Sequence, residues 1–336
     1  MIQAVLKQLM AGNDLSVDSM RAVMREIMTG QCTDAQIGGF LVALALKGES
    51  VDEITAAAEV MRELSSKVSI DGEHLVDTCG TGGDGSSIFN VSTASAFVAA
   101  AAGAQVAKHG NRSVSSTTGS ADLLEHVGVR LDLNAEQVKA CVDRLGVGFM
   151  FAPSHHSAMK HAIGPRKEMA VRTVFNLLGP LTNPAGAPNQ VLGVFSADWV
   201  EPMAHVLKAL GSNHVMVVHS DDGLDEISIA TPTLVAELKD GEVTTWRLDP
   251  ADYDAAGSLE NLAVRDVAES HRLVMNALNG VPGPESNIVA LNAGAAIYVS
   301  GLAPSMAAGV TTARAVMASS EAAQRLSSLA AMTQEF

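Results

Sequence analysis

Aromatic residues are scarce: they form 4% of this 336-residue chain, although 47% of it is hydrophobic. A core that poor in rings must be filled by Ala, Val, Leu, Ile and Met, which suits helices packed closely on a sheet. Positive charge is also short, with 22 Lys and Arg against 37 Asp and Glu and a net charge of −15. A surface that acidic repels nucleic acid and anionic membrane, so neither is an expected partner. Cysteine is reduced to Cys32, Cys79 and Cys141, far apart and without a C-x-x-C. That excludes a disulfide framework or a thiolate zinc site and points to a reducing compartment, so the expected location is cytoplasmic. Long apolar runs are lacking as well. Residues 86–107 and 286–313 carry no charge, but the first holds Asn90, Ser92, Thr93, Ser95 and Gln105 and the second is broken by Gly301 and Pro304. Both read as buried helices rather than membrane spans. The first residues read as a polar helix, without a cleavable apolar block.

Glycine, by contrast, is concentrated. Gly80, Gly82, Gly83 and Gly85 fall within six positions, after an apolar run ending at Leu75 and Val76 and before an Ala-rich segment, 94–104. Strand, glycine loop and helix start together make an anion cradle: glycines let main-chain N–H groups approach a ligand, and a helix N-terminus adds unpaired donors. The letters satisfy G-x-G-x-x-G, which alone is weak. A dinucleotide site needs an acid about 20 residues on, and residues 105–108 hold none. A Walker loop needs Gly-Lys-Ser/Thr, and Gly85-Ser86-Ser87 lacks the lysine. Cys79, beside this loop, reads as a small buried thiol before it reads as a nucleophile.

Two further loops carry chemistry. Lys108-His109-Gly110-Asn111-Arg112-Ser113-Val114-Ser115-Ser116 ends a second strand, and residues 105–175 hold nine Lys or Arg against six acids. Loops at the carboxyl ends of neighbouring strands line one crevice, so two phosphate-type loops imply a ligand with two separated phosphates; a solvated polar turn is the alternative. After the strand at 214–219 come Asp221, Asp222, Asp225 and Glu226. Oxygen ligands of this kind suit Mg²⁺ bridged to a phosphate; a solvated acidic surface is the alternative. His155, His156 and His161 lack the closed ligand set that zinc requires.

Residues 1 to about 68 read as helical. Met20, Val23, Met24, Ile27 and Met28 follow one helical face. Asp34 reads as the cap of a helix carrying Ile37, Phe40, Leu41 and Leu44, and Asp52 precedes another through Ile54, Ala58 and Met61. From about 72, short apolar runs alternate with helical segments: strands at 74–77, 105–108, 147–151, 191–195 and 214–219, helices at 92–103, 120–127, 135–145 and 199–210. Lys239-Asp240-Gly241-Glu242 marks a β-hairpin, and 266–334 reads as helical. Residues 153–190 hold Pro153, Pro165, Pro180, Pro184 and Pro188 and read as an excursion between domains. The expected fold class is α/β: a small N-terminal all-helical domain, 1–71 with a contribution from about 160–188, beside a larger α/β domain, 72–336, with a mostly parallel central sheet.

Over nearly its whole length the chain resembles the anthranilate phosphoribosyltransferases. The motifs are Gly80-Thr81-Gly82-Gly83-Asp84, Asn90-Val91-Ser92-Thr93, Lys108-His109-Gly110-Asn111-Arg112, Gly119-Ser120-Ala121-Asp122, His155-His156-Ser157-Ala158-Met159-Lys160, Arg166-Lys167-Glu168, Phe175 to Pro184, and Asp222-Gly223-Leu224-Asp225-Glu226. The resemblance implies transfer of phosphoribose from 5-phosphoribosyl-1-diphosphate to anthranilate, on the route from chorismate to tryptophan. It implies that Gly80, Gly83, Asp84, Ser87, Asn90, Val91, Ser92, Thr93, Lys108, His109, Gly110, Asn111, Arg112, Ser113, Val114, Ser115, Ser116 and Ser120 bind the donor. Asn111 and Arg166 would contact anthranilate, with Gly80, His109, His156 and Pro180 shaping its channel. Ser92, Asp225 and Glu226 would hold Mg²⁺, two ions per monomer. Lys108, Asn111 and Arg166 are the implied catalytic residues, and a homodimer through the helical domain is implied. Thr117 stands where the family often has Lys, and Ser157 where it commonly has Pro. The rival relatives are a pyrimidine nucleoside phosphorylase and a nucleic-acid-binding homologue without catalysis.

Overall fold

Three of the first four helices start where a hydroxyl can cap them. The computed structural model describes residues 1–113 and 117–336 and opens with α1 (Ile2–Met10), α2 (Val17–Met28), α3 (Asp34–Lys47) and α4 (Val51–Glu63). Ser16 caps α2. Thr33 with Gln36 and Ser50 with Glu53 form reciprocal capping boxes on α3 and α4. The expected caps therefore shift by one or two residues: Asp34 and Asp52 lie inside the first turns, where a carboxylate suits the helix dipole while the hydroxyl satisfies the N–H. Met20, Val23, Met24, Ile27 and Met28 are all buried.

The chain continues through β1 (Leu75–Gly80), α5 (Val91–Ala101), β2 (Gln105–Gly110), α6 (Ser120–His126), α7 (Ala135–Leu145), β3 (Val147–Phe151), α8 (Ala152–His155), α9 (Lys160–Met169), α10 (Val174–Leu178), β4 (Asn189–Gly193), α11 (Val200–Ala209), β5 (His214–Ser220), β6 (Thr233–Lys239) and β7 (Glu242–Leu248). It ends in α12 (Val267–Leu278), α13 (Pro284–Val299), α14 (Met306–Ala318) and α15 (Glu321–Thr333). The strands form one sheet in the order β3-β2-β1-β4-β5-β6-β7. The first five run parallel, and β6 and β7 add an antiparallel edge. Asp240 and Gly241 turn the β6–β7 hairpin with φ of 51° and 78°, the signature of a two-residue primed turn.

Alternation along the strands divides the core. Val191, Met216 and Val218 face the side covered by α5 and α12–α15. Leu192, Val194, Val215 and Val217 face a second cluster built from α1–α4, α10 and α11. The helical bundle reaches the sheet through α11 and α10, which pack on α4. The proline-containing excursion is a run of short helices, and its α9 lies on α2 and α3. One strand is displaced from expectation. β4 spans Asn189–Gly193 rather than 191–195 because Asn189 Nδ2 donates to Leu75 O at 3.0 Å, while the Phe195 N–H turns to Thr81 Oγ1 at 3.0 Å.

Candidate active site

Strand order sets the location. The chain runs outward from β1 to β2 and β3 and returns to the opposite side of β1 with β4, so a crevice opens beyond the carboxyl ends of β1 and β4. Gly80 and Gly193 end these strands in register. Main chain packed against Gly193 requires glycine there, while Gly80 is approached by a side chain. A Cβ on Gly80 would lie 2.5 Å from Asp225 Oδ2, and one on Gly193 would lie 1.5 Å from the Asp225 carbonyl oxygen. The turn after β5 is thereby pressed against the glycine loop.

That loop is anchored on one side and free on the other. Thr81 N–H donates to Gly193 O at 2.9 Å, and Gly82 N–H donates to Asp225 Oδ2 at 2.7 Å. Gly82, Gly83 and Gly85 take φ of 65°, 79° and 76°, and Ser87 takes 51°. Asp84 accepts from Ser86 N–H and Oγ at 3.1 and 2.7 Å. Among the described residues, the main-chain N–H groups of Gly83, Asp84 and Gly85 have no protein acceptor. They are available to an anion. At the start of α5, Ser92 N–H donates to Glu226 Oε1 at 3.1 Å. Asn90 is fixed by Ser270 Oγ at 2.7 Å and donates to Thr118 O at 3.2 Å.

Asp225 and Glu226 are half-buried and crowded by protein. Burial first, then the charge of Asp84, pushes the Asp225 carboxyl up to about 7. Burial and Asp225 push Glu226 well above the usual carboxylate range. Among the described residues no three His, Cys, Asp or Glu side chains form a ready-made metal cage. The donor set nevertheless fits a hard cation that keeps waters and shares substrate oxygens: two adjacent carboxylates, strained by mutual repulsion, with Ser92 beside Glu226. Asp84 belongs with this group through its effect on Asp225; the sequence placed it only among the donor-binding residues.

Lys108 requires a correction. Its ammonium does not reach out over the phosphate loops. It is buried, donating to Thr78 O at 2.5 Å and Ser92 Oγ at 3.3 Å. Strand pleating turns Lys108 toward α5 and His109 to the other face. Burial lowers the lysine pKa, while Asp77 and Glu226 oppose that. Asp77 is held by Asn183 Nδ2 at 2.7 Å and His109 N–H at 3.2 Å. Burial raises the Cys79 thiol well above its ordinary value, and Gln190 donates to its sulfur at 3.0 Å, so Cys79 is a protonated thiol, half-buried rather than fully buried as expected.

In the second loop, Arg112 pairs with Asp122 at 3.1 Å and Glu125 at 2.7 Å. Asp122 also accepts from Ser113 N–H at 3.0 Å and Gly119 N–H at 2.9 Å. Asn111 is exposed, and its Oδ1 accepts from Arg112 N–H at 2.8 Å. A Cβ on Gly110 would lie 2.1 Å from Ser120 Oγ, which donates to Asn111 O at 3.4 Å. Val114, Ser115 and Ser116 lie outside the described residues. Thr117 is exposed.

The residues expected on the acceptor side split into two places. His109 and His156 meet with ring centroids 5.1 Å apart, and the Nε2 of each is buried without a partner. Burial drives their pKa values down to about 3 and about 4, so both rings are neutral. Pro180 is buried, with its carbonyl accepting from Gln190 at 2.8 Å. Arg166 stands over the Phe175 ring at 5.0 Å, its pKa lowered by burial. No direct contact joins Arg166 to the two histidines among the described residues. His155 binds Ser66 O at 3.0 Å, and His161 lies against Gly30 in the bundle, so these histidines diverge from His156. One residue at the site was missed altogether. Arg172 donates to Gly83 O and stacks over Phe195 at 4.3 Å; no motif marks it, because its partners come from other segments.

Comparison with known proteins decides the family. Residues 72–323 match the glycosyl transferase family a/b domain, and residues 3–65 match the helical bundle domain of the same family. An anthranilate phosphoribosyltransferase of Marinomonas sp. (strain MWYL1) is 60% identical over 100% of this chain and 98% of its own length. The chain belongs to the anthranilate phosphoribosyltransferase family. Its fold is that of the family's solved members: the Thermus thermophilus enzyme superposes with a TM-score of 0.92 at 43% identity, covering 98% of this chain and 99% of that one. The Saccharomyces cerevisiae family member, solved in complex with PRPP and Mg, superposes with a TM-score of 0.91 at 25% identity, covering 100% of this chain and 98% of that one. The expected helical bundle beside an α/β domain with a mostly parallel sheet is the fold observed. Neither the phosphorylase nor the nucleic-acid-binding reading gains support.

Proposed function

We propose that the chain joins the amine of anthranilate to ribose C1 of 5-phosphoribosyl-1-diphosphate, releasing diphosphate and forming N-(5-phosphoribosyl)anthranilate, the second step from chorismate to tryptophan. The observation that carries this reading is the pairing of three free main-chain N–H groups, at Gly83, Asp84 and Gly85, with the crowded carboxylates of Asp225 and Glu226 in one crevice. Donors for an anion and ligands for a cation, side by side, suit a metal-bound diphosphate.

An aryl amine is neutral near pH 7, and its lone pair needs no strong base. The difficult event is loss of a multiply charged leaving group. As the C1–N bond forms, the C1–O bond breaks, the electron pair leaves with diphosphate, and the amine proton passes to solvent. The protein's share is orientation and charge neutralisation. The N–H groups of residues 83–85 hold the leaving group beside the start of α5, with Asn90, Thr93 and Ser120 fixing the walls. Lys108, beneath Ser92, offsets the carboxylates from below. Arg166 pairs with the anthranilate carboxylate, and the neutral His109 and His156 offer Nε2 lone pairs on the acceptor side. Asp225, Glu226 and Ser92 would hold Mg²⁺, which we place at two ions per monomer; when bound it supplies charge neutralisation to the diphosphate oxygens.

The assembly we propose is a homodimer through the helical bundle, in the cytoplasm. Met10 on α1 and Val42 and Leu46 on α3 are 81%, 40% and 83% exposed, apolar side chains on two helices that pack together and that a second copy would cover. The test of the activity is loss of anthranilate fluorescence on mixing with 5-phosphoribosyl-1-diphosphate and Mg²⁺. Unchanged fluorescence with active-site-intact protein overturns the reading.

A further inference from the structure

We infer that Arg172 is a positioning residue that pre-sets the glycine loop for the donor's diphosphate by taking the Gly83 carbonyl; this rests on the loop being the diphosphate seat. The geometry is a three-way tie. Arg172 lies between α9, which carries Arg166, and α10, which carries Phe175. Its Nη2 donates to Gly83 O, and its guanidinium lies over the Phe195 ring at 4.3 Å. Phe195 is itself bonded to the loop through Thr81 Oγ1 at 3.0 Å. Arginine is suited to this: a planar cation that donates from its edge while its face stacks on an aromatic ring.

The consequence follows from the peptide plane. The unit joining Gly83 to Asp84 is trans, so it points its C=O and its N–H in opposite directions. With the carbonyl held by Arg172, the Asp84 N–H faces away from it and has no protein acceptor among the described residues. At Gly83, with φ of 79° and an ideal Cβ 3.4 Å from Arg172 Nη2, the backbone has little side-chain resistance to flipping. The Arg172 bond selects one orientation and polarises the same peptide unit, so its N–H is a stronger donor. Because Arg172 sits on the segment between α9 and α10, the donor loop and the acceptor-holding segment share one fixed point.

The experiment is calorimetric titration of the full-length protein with inorganic diphosphate and Mg²⁺, beside steady-state kinetics for both substrates. Arg172→Ala is expected to weaken diphosphate binding and raise the donor KM by about tenfold, with the anthranilate KM changed by less than about twofold. Arg172→Lys, which keeps a donor without the planar stack, is expected to recover part of the loss, and Phe195→Leu to show a smaller loss. Diphosphate affinity unchanged in Arg172→Ala, or equal rises in both KM values, overturns the inference. If Arg172→Ala does not fold, wild-type affinity in both Arg172→Lys and Phe195→Leu overturns it. A parent protein that binds diphosphate through Arg172 yet turns over no anthranilate would sink the proposed activity and leave this inference standing.

Discussion

At the residue scale the site is a problem of charge held close together. Burial first, then Asp84, raises the proton affinity of Asp225; burial first, then Asp225, raises that of Glu226, and the buried ammonium of Lys108 offsets only part of that load. Asp225→Asn with Glu226→Gln is expected to reduce turnover by roughly a hundredfold or more, since the metal would lose its anionic ligands; Mg²⁺ titrations that match the parent contradict this. His109 and His156 make a second prediction. Their folded pKa values, about 3 and about 4, lie below the free value of 6.5. Below 6.5 the unfolded chain binds a proton on each ring and the folded chain does not, so these groups make stability rise with pH from about 4 to about 6.5. His109→Gln with His156→Gln removes that slope. The variant's deficit against the parent is expected to shrink on going from about pH 7 to about pH 5 in urea titrations, by up to roughly 1.4 kcal/mol per pH unit per ring; a constant deficit contradicts it. Residue types and the glycine spacing were legible in the sequence because they are local. The reach of Asp225 to Gly82 across 143 positions was not, nor was the turn of Lys108 toward α5, which depends on the strand's pleat.

At the scale of elements, β1 and β4 work as a pair of rails ending in glycine. Gly193→Ala places a methyl 1.5 Å from the Asp225 carbonyl oxygen, a clash with main chain that only a shift of the acidic turn relieves. It is expected to destabilise the protein by about 1–3 kcal/mol and to raise the Mg²⁺ concentration needed for half-maximal turnover. Unchanged thermal unfolding and metal dependence would contradict it. The hairpin at Asp240-Gly241 and the run of strands were readable from alternation and turn chemistry. The caps of α3 and α4 fell to Thr33 and Ser50 instead of the neighbouring aspartates because the hydroxyl and the residue at the third helical position bond reciprocally. The end of β4 was misjudged because Val194 and Phe195 are as apolar as a strand, yet the Phe195 N–H serves Thr81 in the glycine loop.

At the scale of the molecule, the sheet carries helices on both faces, and one of those faces merges with the N-terminal bundle in a single buried cluster. The bundle in turn exposes Leu46 and Met10. Leu46→Glu is expected to convert a dimer into monomers in light scattering; a parent that is already monomeric contradicts the proposed assembly. The ends of β1, β2, β4 and β5 and the start of α5 converge on the crevice, so a direct view of the donor there bears on everything else. The decisive measurement is a crystal structure with 5-phosphoribosyl-1-diphosphate and Mn²⁺, with the ion located by anomalous scattering. The expected result has the diphosphate on the N–H groups of residues 83–85 and the ion coordinated by Asp225 and Glu226. A donor bound outside the crevice, or seated in it with no ion at the acidic turn, would contradict the proposed mechanism.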